Sequence, residues 1–449
     1  MLRFFTRFFI LCIVSFLLAT LGANAQDIVA LKGGRIIDGR GGAPIIDGVV
    51  IMQGDKIVAV GPDSDTAIPD GARIIDTNGM TVMPGLIDIH VHFDILGHSD
   101  YGHWFGTYEN RMRPDIMPSA AKAMLMAGVT AVRDLGADVS NIFWLKEQIN
   151  SGALMGPRTF IAGPFLRKTA TAFVSNNYKD SWVVKNPADA REKVRKLAKM
   201  GADVIKTQDE NLSQSELAAI YDESHKLGLR VASHIYAAEA IRTALKAGIG
   251  EYDTIEHIGE YAAMKYDDDI VRMIVDQKVA MAATIIARDG LRQIIENPEL
   301  TDDPRWVRDL PADIYLDVRK SYRATDLSKH PLYDKANTDR AGRMSKLRQL
   351  KDAGAIFTVS TDSGTRANPH HDAMWKEMVL LQVEAGMSNM EVIVAATHTN
   401  SIVMQQQDKI GTLEAGKFAD IIIVDGDPLT NLAEMRRVKH VIKGGKLVR

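Results

Sequence analysis

Six side chains recur at one kind of position along this chain. His90 and His92 follow the apolar run Leu86-Ile87-Asp88-Ile89, His234 ends Arg230-Val231-Ala232-Ser233, and His257 ends Thr254-Ile255-Glu256. Lys206 ends Asp203-Val204-Ile205, and Asp362 follows Ile356–Ser360. In an extended chain, His90-x-His92 sets both imidazoles on one face, because strand side chains repeat every two residues. Two imidazoles on one side can grip one ion, and imidazole with carboxylate suits zinc and its neighbours. Any one of these histidines alone would be read as a packed or surface residue. Their joint placement points to a shared site.

The elements that must position them alternate. Eight short apolar runs are each followed by a segment of helical period: the five just given, plus Val129–Arg133, Thr159–Ala162 and Val279–Ala283. Helical segments such as 188–200 and 213–227 stop at Gly201 and Gly228, where left-handed backbone ends helices. Eight strand–helix alternations predict a parallel sheet closed as a (β/α)8 TIM barrel, whose strand ends converge on the catalytic face. Both termini read differently. Short β-like runs between Gly, Asp and Pro turns fill 27–75 and return in 419–448. They predict a small β-sandwich domain built from 26–82 and 408–449, around a barrel of 83–407. The Pro-, Asp- and Arg-rich stretch 289–339 interrupts the alternation between the seventh and eighth runs. Its position predicts an insertion over the barrel mouth, as a lid would lie.

Composition narrows the function. Apolar residues make up 46% and charged residues 25%, as in ordinary globular chains. Lys+Arg number 54 against 57 Asp+Glu, so no basic excess is present to bind nucleic acid. A single cysteine, Cys12, excludes a disulfide framework and a cysteine-ligated cluster. Arg3 and Arg7, an uncharged run from Phe8 to Leu21 and Ala23-Asn24-Ala25 form a signal-peptide pattern over residues 1–25. The run is shorter than the roughly 20 residues of a spanning helix. Export to the periplasm (or secretion) is expected, with no membrane attachment after cleavage.

Three longer segments carry a family resemblance: Pro84-Gly85-Leu86-Ile87-Asp88-Ile89-His90-Val91-His92, Ala131-Val132-Arg133-Asp134-Leu135-Gly136, and Gly411 through Ile421. With them the chain resembles the amidohydrolase superfamily over nearly all its mature length. It looks most like the imidazolonepropionase-like branch that includes binuclear Xaa-Pro dipeptidases and carboxypeptidases. The resemblance implies two divalent metal ions, zinc by analogy, with Lys206 carbamylated and bridging them. It implies that His90, His92 and Asp362 hold one ion and His234 and His257 the other. It further implies hydrolysis of an amide, peptide-like bond by a hydroxide bridging the metals, with Asp362 moving its proton. Tyr236, two residues after His234, then takes the position of a donor to the oxyanion. The substrate would be a small molecule or dipeptide, and relatives often form homo-oligomers.

Departures are also readable. Dipeptidase-like relatives often carry Gly-Gly-His after the third strand; here that loop reads Gly163-Pro164-Phe165-Leu166-Arg167-Lys168. Arg167, His98, His103, Arg288 and His370 are the candidate substrate contacts. The alternative on the same fold is a mononuclear deaminase or cyclic amidase/lactonase using His90, His92, His234 and Asp362. A non-catalytic binding protein is disfavoured, because all six ligand positions are filled.

Overall fold

Apolar residues alternating with short turns lay down the first sheet. The computed structural model describes residues 28–169, 182–208, 210–259, 263–323, 329 and 339–449; the expected signal peptide lies outside them. Strand β1 (Ile28–Ile36) pairs antiparallel with β2 (Ile45–Gln53), and β2 with β3 (Lys56–Pro62). Two apolar runs of the sequence, Val29–Leu31 and Arg35–Ile37, thus share one strand. Irregular register at Lys32–Ile36 divides them, and Gly33 there has φ +90°, a conformation open to glycine. Strands β4 (Arg73–Asp76) and β5 (Thr81–Pro84) run parallel to β1.

The chain then passes through Gly85 into the parallel strands. A side chain at Gly85 would meet Thr130 Oγ1 at 2.1 Å, so only glycine lets β5 run on this closely. Strands β6 (Leu86–Val91), β7 (Val129–Asp134) and β8 (Arg158–Ile161) form one parallel sheet. Strands β9 (Val204–Gln208), β10 (Arg230–His234), β11 (Thr254–Glu256), β12 (Ala280–Ala282) and β13 (Ile356–Thr358) form another. These eight strands coincide with the eight apolar runs. Backbone hydrogen bonds stitch the two sheets at both seams. Asp362 N donates to His90 O (2.7 Å) and His92 N to Ser363 O (2.9 Å), while Leu166 N donates to Lys206 O (2.8 Å). Every residue of β6 and β7 is buried, as expected when both faces of a parallel strand are covered.

The carboxyl terminus rejoins the first sheet. Strands β14 (Ile421–Val424), β15 (Val438–Lys443) and β16 (Lys446–Leu447) extend it through an antiparallel β14–β5 pair. Both ends of the chain therefore build one eight-stranded mixed sheet with its own apolar cluster, including Leu31, Val50, Ile57, Ile421 and Ile442. Arg158 ties this sheet to the parallel strands through Asp420.

Helix 187–200 starts on the Asn186 side chain and ends at Gly201 (φ +95°). Helix 214–226 starts on a reciprocal Ser213–Glu216 cap. Of the insertion, helix Ala312–Arg323 lies against the loop after β6: Ser99 Oγ donates to Ser321 O at 3.0 Å, and the Tyr322 hydroxyl contacts Gly97 O. Among the described residues no helix is long and apolar enough to cross a membrane.

Candidate metal centre

Strand ends bring the six expected ligands to one cavity of about 330 Å³, which Tyr236, Arg167 and Arg288 also line. His90 and His92 leave β6 on the same side, and their Nε2 atoms lie 3.4 and 3.1 Å from Asp362 Oδ1. These three side chains offer ligand atoms all within 4.8 Å of one another. Across the cavity, His257 Nε2 lies 2.9 Å from His234 Nδ1. His257 and His90 rings are 5.1 Å apart, joining the two groups.

The ligand rings are aimed by partners behind them. His90 Nδ1 donates to Glu256 Oε2 at 2.6 Å, and Glu256 also accepts from Arg133 Nη2 at 2.9 Å. His92 Nδ1 donates to Gly136 O at 2.9 Å, and His257 Nδ1 lies 2.7 Å from Thr284 Oγ1. Fixing one ring nitrogen in this way sets the tautomer and turns the other toward an ion. Asp88 Oδ2 accepts from Thr361 Oγ1 at 2.6 Å, steadying the turn that carries Asp362. His257 (φ +73°), Thr284 (φ +47°) and Asp362 (φ +55°) hold left-handed backbone that non-glycine residues rarely adopt. Such strain is stored where side chains must be aimed.

Electrostatics favour neutral imidazoles and a reactive amine. Burial holds His90 down to about 4 and His234 to about 3, with Lys206 adding to both. His257 lies well below its ordinary value for the same first reason, burial. Burial opposes the charged form of His92 too, yet its hydrogen bond to Asp362 lifts it to about 9. Without an ion, a proton on His92 therefore balances Asp362. Lys206 is pushed down to about 8 by burial, against the pull of Glu256 and Asp362. Its Nζ is buried and has no hydrogen-bond partner among the described residues. An orphaned buried amine beside three neutral imidazoles fits a site completed by cations. Tyr236 stacks on His257 (5.1 Å, 18°), and burial raises its phenol to about 12, so it remains a donor. The Arg288 guanidinium stands 5.1 Å from the Tyr236 ring.

Three expected contacts lie elsewhere. His98 and His103 are not among the cavity-lining residues; both face Asp317 of the insertion. His370 sits behind the site, its Nε2 3.0 Å from the His92 carbonyl. Glu256, Arg133, Asp88 and Thr284 carry no role in a reading of the sequence, although Glu256 immediately precedes His257 and Arg133 lies in a motif segment. Cavity-lining Arg343 and Arg366 were also silent; Glu384 pairs with the first, and Ser99 O accepts from the second.

Comparison with known proteins gives the family and the fold. The curated imidazolonepropionase of Alkaliphilus metalliredigens is 22% identical over 427 residues, spanning 90% of each chain. The crystal structure of a Xaa-Pro dipeptidase with methionine bound in its active site superposes with a TM-score of 0.75, at 26% identity, covering 94% of this chain and all of that one. A prolidase candidate from Bifidobacterium longum gives 0.70 and 27%, covering 94% and 95%. The family is metal-dependent, and its members hydrolyse C–N bonds. Residues 81–448 match the amidohydrolase family, and the chain belongs to it.

Proposed function

We propose that this protein is a binuclear metal-dependent amide hydrolase acting on a dipeptide or a similar small carboxylated substrate. The observation that carries the reading is the buried, unpartnered Lys206 amine among His90, His234, His257 and Asp362. A plain ammonium there would face no counter-ion at hydrogen-bond distance. A carbamate formed on the neutral amine would offer one oxygen to each of two ions. His90, His92 and Asp362 would hold one ion, and His234 and His257 the other. We infer in addition that the two parallel sheets make one (β/α)8 barrel, and that the chain is exported to the periplasm.

Two divalent ions, when bound, supply a hydroxide nucleophile at neutral pH and polarise the scissile carbonyl. The protein's own groups do the rest. Asp362, held low against burial by His90 and His92, is a base that can take the nucleophile's proton and pass it to the leaving amine. The Tyr236 phenol can donate to the developing oxyanion. Arg167, Arg288 and Arg366 put cationic character on the cavity wall, which suits a substrate carboxylate. Lys168, its neighbour in the sequence, is instead engaged by Glu216. The cavity volume lies at the lower end for small-molecule sites, consistent with a dipeptide.

A mononuclear site has one observation in its favour: of the six expected ligands, His90, His92 and Asp362 are the three whose ligand atoms all lie within 4.8 Å of one another. Metal content per chain decides between them, measured after loading with zinc and bicarbonate. The two proteins compared carry Lys206 or Lys206→Ala on a common His103→Ala background, which keeps any ion at the outer His98–His103–Asp317 cluster out of the count. Two ions in the protein with Lys206 and fewer in Lys206→Ala, with dipeptides hydrolysed only by the former, is the expected result. One ion in both proteins would remove the bridged site and leave the deaminase or cyclic amidase reading.

A further inference from the structure

A second histidine–carboxylate cluster lies outside the cavity. His98 belongs to the loop after β6, His103 to helix Tyr101–Tyr108, and Asp317 to helix Ala312–Arg323 of the insertion. Two neighbouring segments thus meet a third, 214 positions beyond His103, at one carboxylate. Their ligand atoms all lie within 4.8 Å of one another. His103 Nε2 is 2.7 Å from Asp317 Oδ2. His98 Nε2 faces the same oxygen across 3.6 Å, beyond hydrogen-bond range.

That gap matters, because His98 is buried, with 4% of its side chain exposed. An imidazole withdrawn from water and aimed at a carboxylate it does not reach is poorly explained as an ion pair. Metal–ligand bonds of about 2.0–2.1 Å, meeting at tetrahedral angles, put neighbouring donor atoms a little over 3 Å apart. The His98–Asp317 separation matches that spacing, and His103 needs only a small outward movement of a half-exposed ring. The far side of His98 is already braced. Its Nδ1 lies 2.9 Å from both the Asp100 carbonyl and the Asp100 amide N–H. In the tautomer that donates to the carbonyl, Nε2 turns its lone pair toward Asp317, and in the one that accepts from the amide an ion would replace the Nε2 proton. Tyr108 braces the carboxylate, its hydroxyl donating to Asp317 Oδ2 at 2.9 Å.

We propose that His98, His103 and Asp317 form a separate metal site for a first-row divalent ion such as zinc, with water completing the coordination. Two imidazoles, one carboxylate and an open position are a zinc-like donor set. Bound there, the ion clips the insertion helix to helix Tyr101–Tyr108. That helix contributes Tyr101 and Phe105 to the cavity wall, so loading of the clip stiffens one side of the substrate pocket. The inference stands apart from the buried centre and needs none of its residues.

The test compares zinc bound per chain, after dialysis at buffered free zinc, in the wild-type full chain, His103→Ala and Asp317→Asn. Melting temperature is followed with and without zinc. The expected result is one ion more in the wild type than in either variant, and a zinc-dependent rise in melting temperature that is larger in the wild type than in either variant. Equal zinc content and equal zinc-dependent shifts in all three overturn the site. His103 is half exposed, so its replacement leaves the fold intact. A His103→Gln variant keeps a polar partner for Asp317 while removing the imidazole, and must also lose the ion. Because the readout is a difference between proteins, it does not depend on how many ions the buried centre holds.

Discussion

Two groups of histidines flank the same loop after β6, and they differ in what stands behind them. In the buried centre each β6 ring has a fixed partner, Glu256 for His90 and the Gly136 carbonyl for His92. In the outer cluster His103 has 44% of its side chain exposed, and Asp317 has 26%. Burial drives His90, His234 and His257 to their neutral form, which is the form that binds a metal, while Asp362 holds a proton on His92. At the outer cluster His98 is pushed the same way, again by burial, and Asp317 pulls against it. The difference shows that ligand identity alone does not set a site's strength. The wall behind the ligand does.

The comparison is tested most sharply at Asp362. Asp362→Asn removes both a ligand and the proposed proton carrier, so kcat should fall on the order of 10²–10⁴-fold. Steady-state kinetics at saturating zinc measure it, and a loss below tenfold would show that Asp362 moves no proton. Tyr236→Phe is next. It deletes one donor to the oxyanion while keeping the ring on His257, and should cost about 10²–10³-fold in kcat with little change in KM. Equal losses in binding and turnover would assign Tyr236 to packing.

Glu256→Gln then asks how much the supporting wall contributes. The His90 ring keeps a hydrogen-bond acceptor but loses the charge behind it. Zinc affinity at the buried centre should drop roughly 10–100-fold, read by competition with a chromophoric chelator. An unchanged affinity would mean that burial alone, and not Glu256, makes His90 a ligand.

What was legible in the sequence follows the same division. The eight strands and the convergence of six side chains on one cavity could be read because each of the six sits at or just past an apolar run, and local pattern carries that information. Glu256, Arg133 and Asp88 could not be read as partners, because a buried charge declares its role only through a residue far along the chain. His90 and Glu256 lie 166 positions apart. The left-handed backbone at His257 and Asp362 had no glycine to announce it. His98 and His103 were assigned to substrate from their loop alone. Their actual partner, Asp317, lies more than 200 residues on, in an insertion with no periodic signature.

Lys206 sharpens the contrast through pH. Only the neutral amine can take up carbon dioxide, and its value of about 8 lies below that of an ordinary lysine. At fixed dissolved carbon dioxide, reactivation of the metal-free enzyme should therefore speed up as pH rises through 8, by about tenfold between pH 7 and 9. A stopped assay after zinc addition follows this. A rate that is flat over the same range would mean that no amine is being titrated.

The smallest expected effect belongs to the outer cluster without metal. His103→Ala removes the contact with Asp317, but both groups reach water. Exposed pairs of this kind contribute about 0.2–1 kcal/mol. In chelator, then, denaturant unfolding of His103→Ala should differ from wild type by no more than that. A cost above about 2 kcal/mol would place the pair among buried interactions that hold the insertion without any ion. A cost near zero leaves the ordering of helix Ala312–Arg323 to its packing through Tyr322 and Ser321, which are buried and half-buried against the loop after β6. The inner histidines owe their character to what surrounds them. The outer ones would then owe theirs to what they bind.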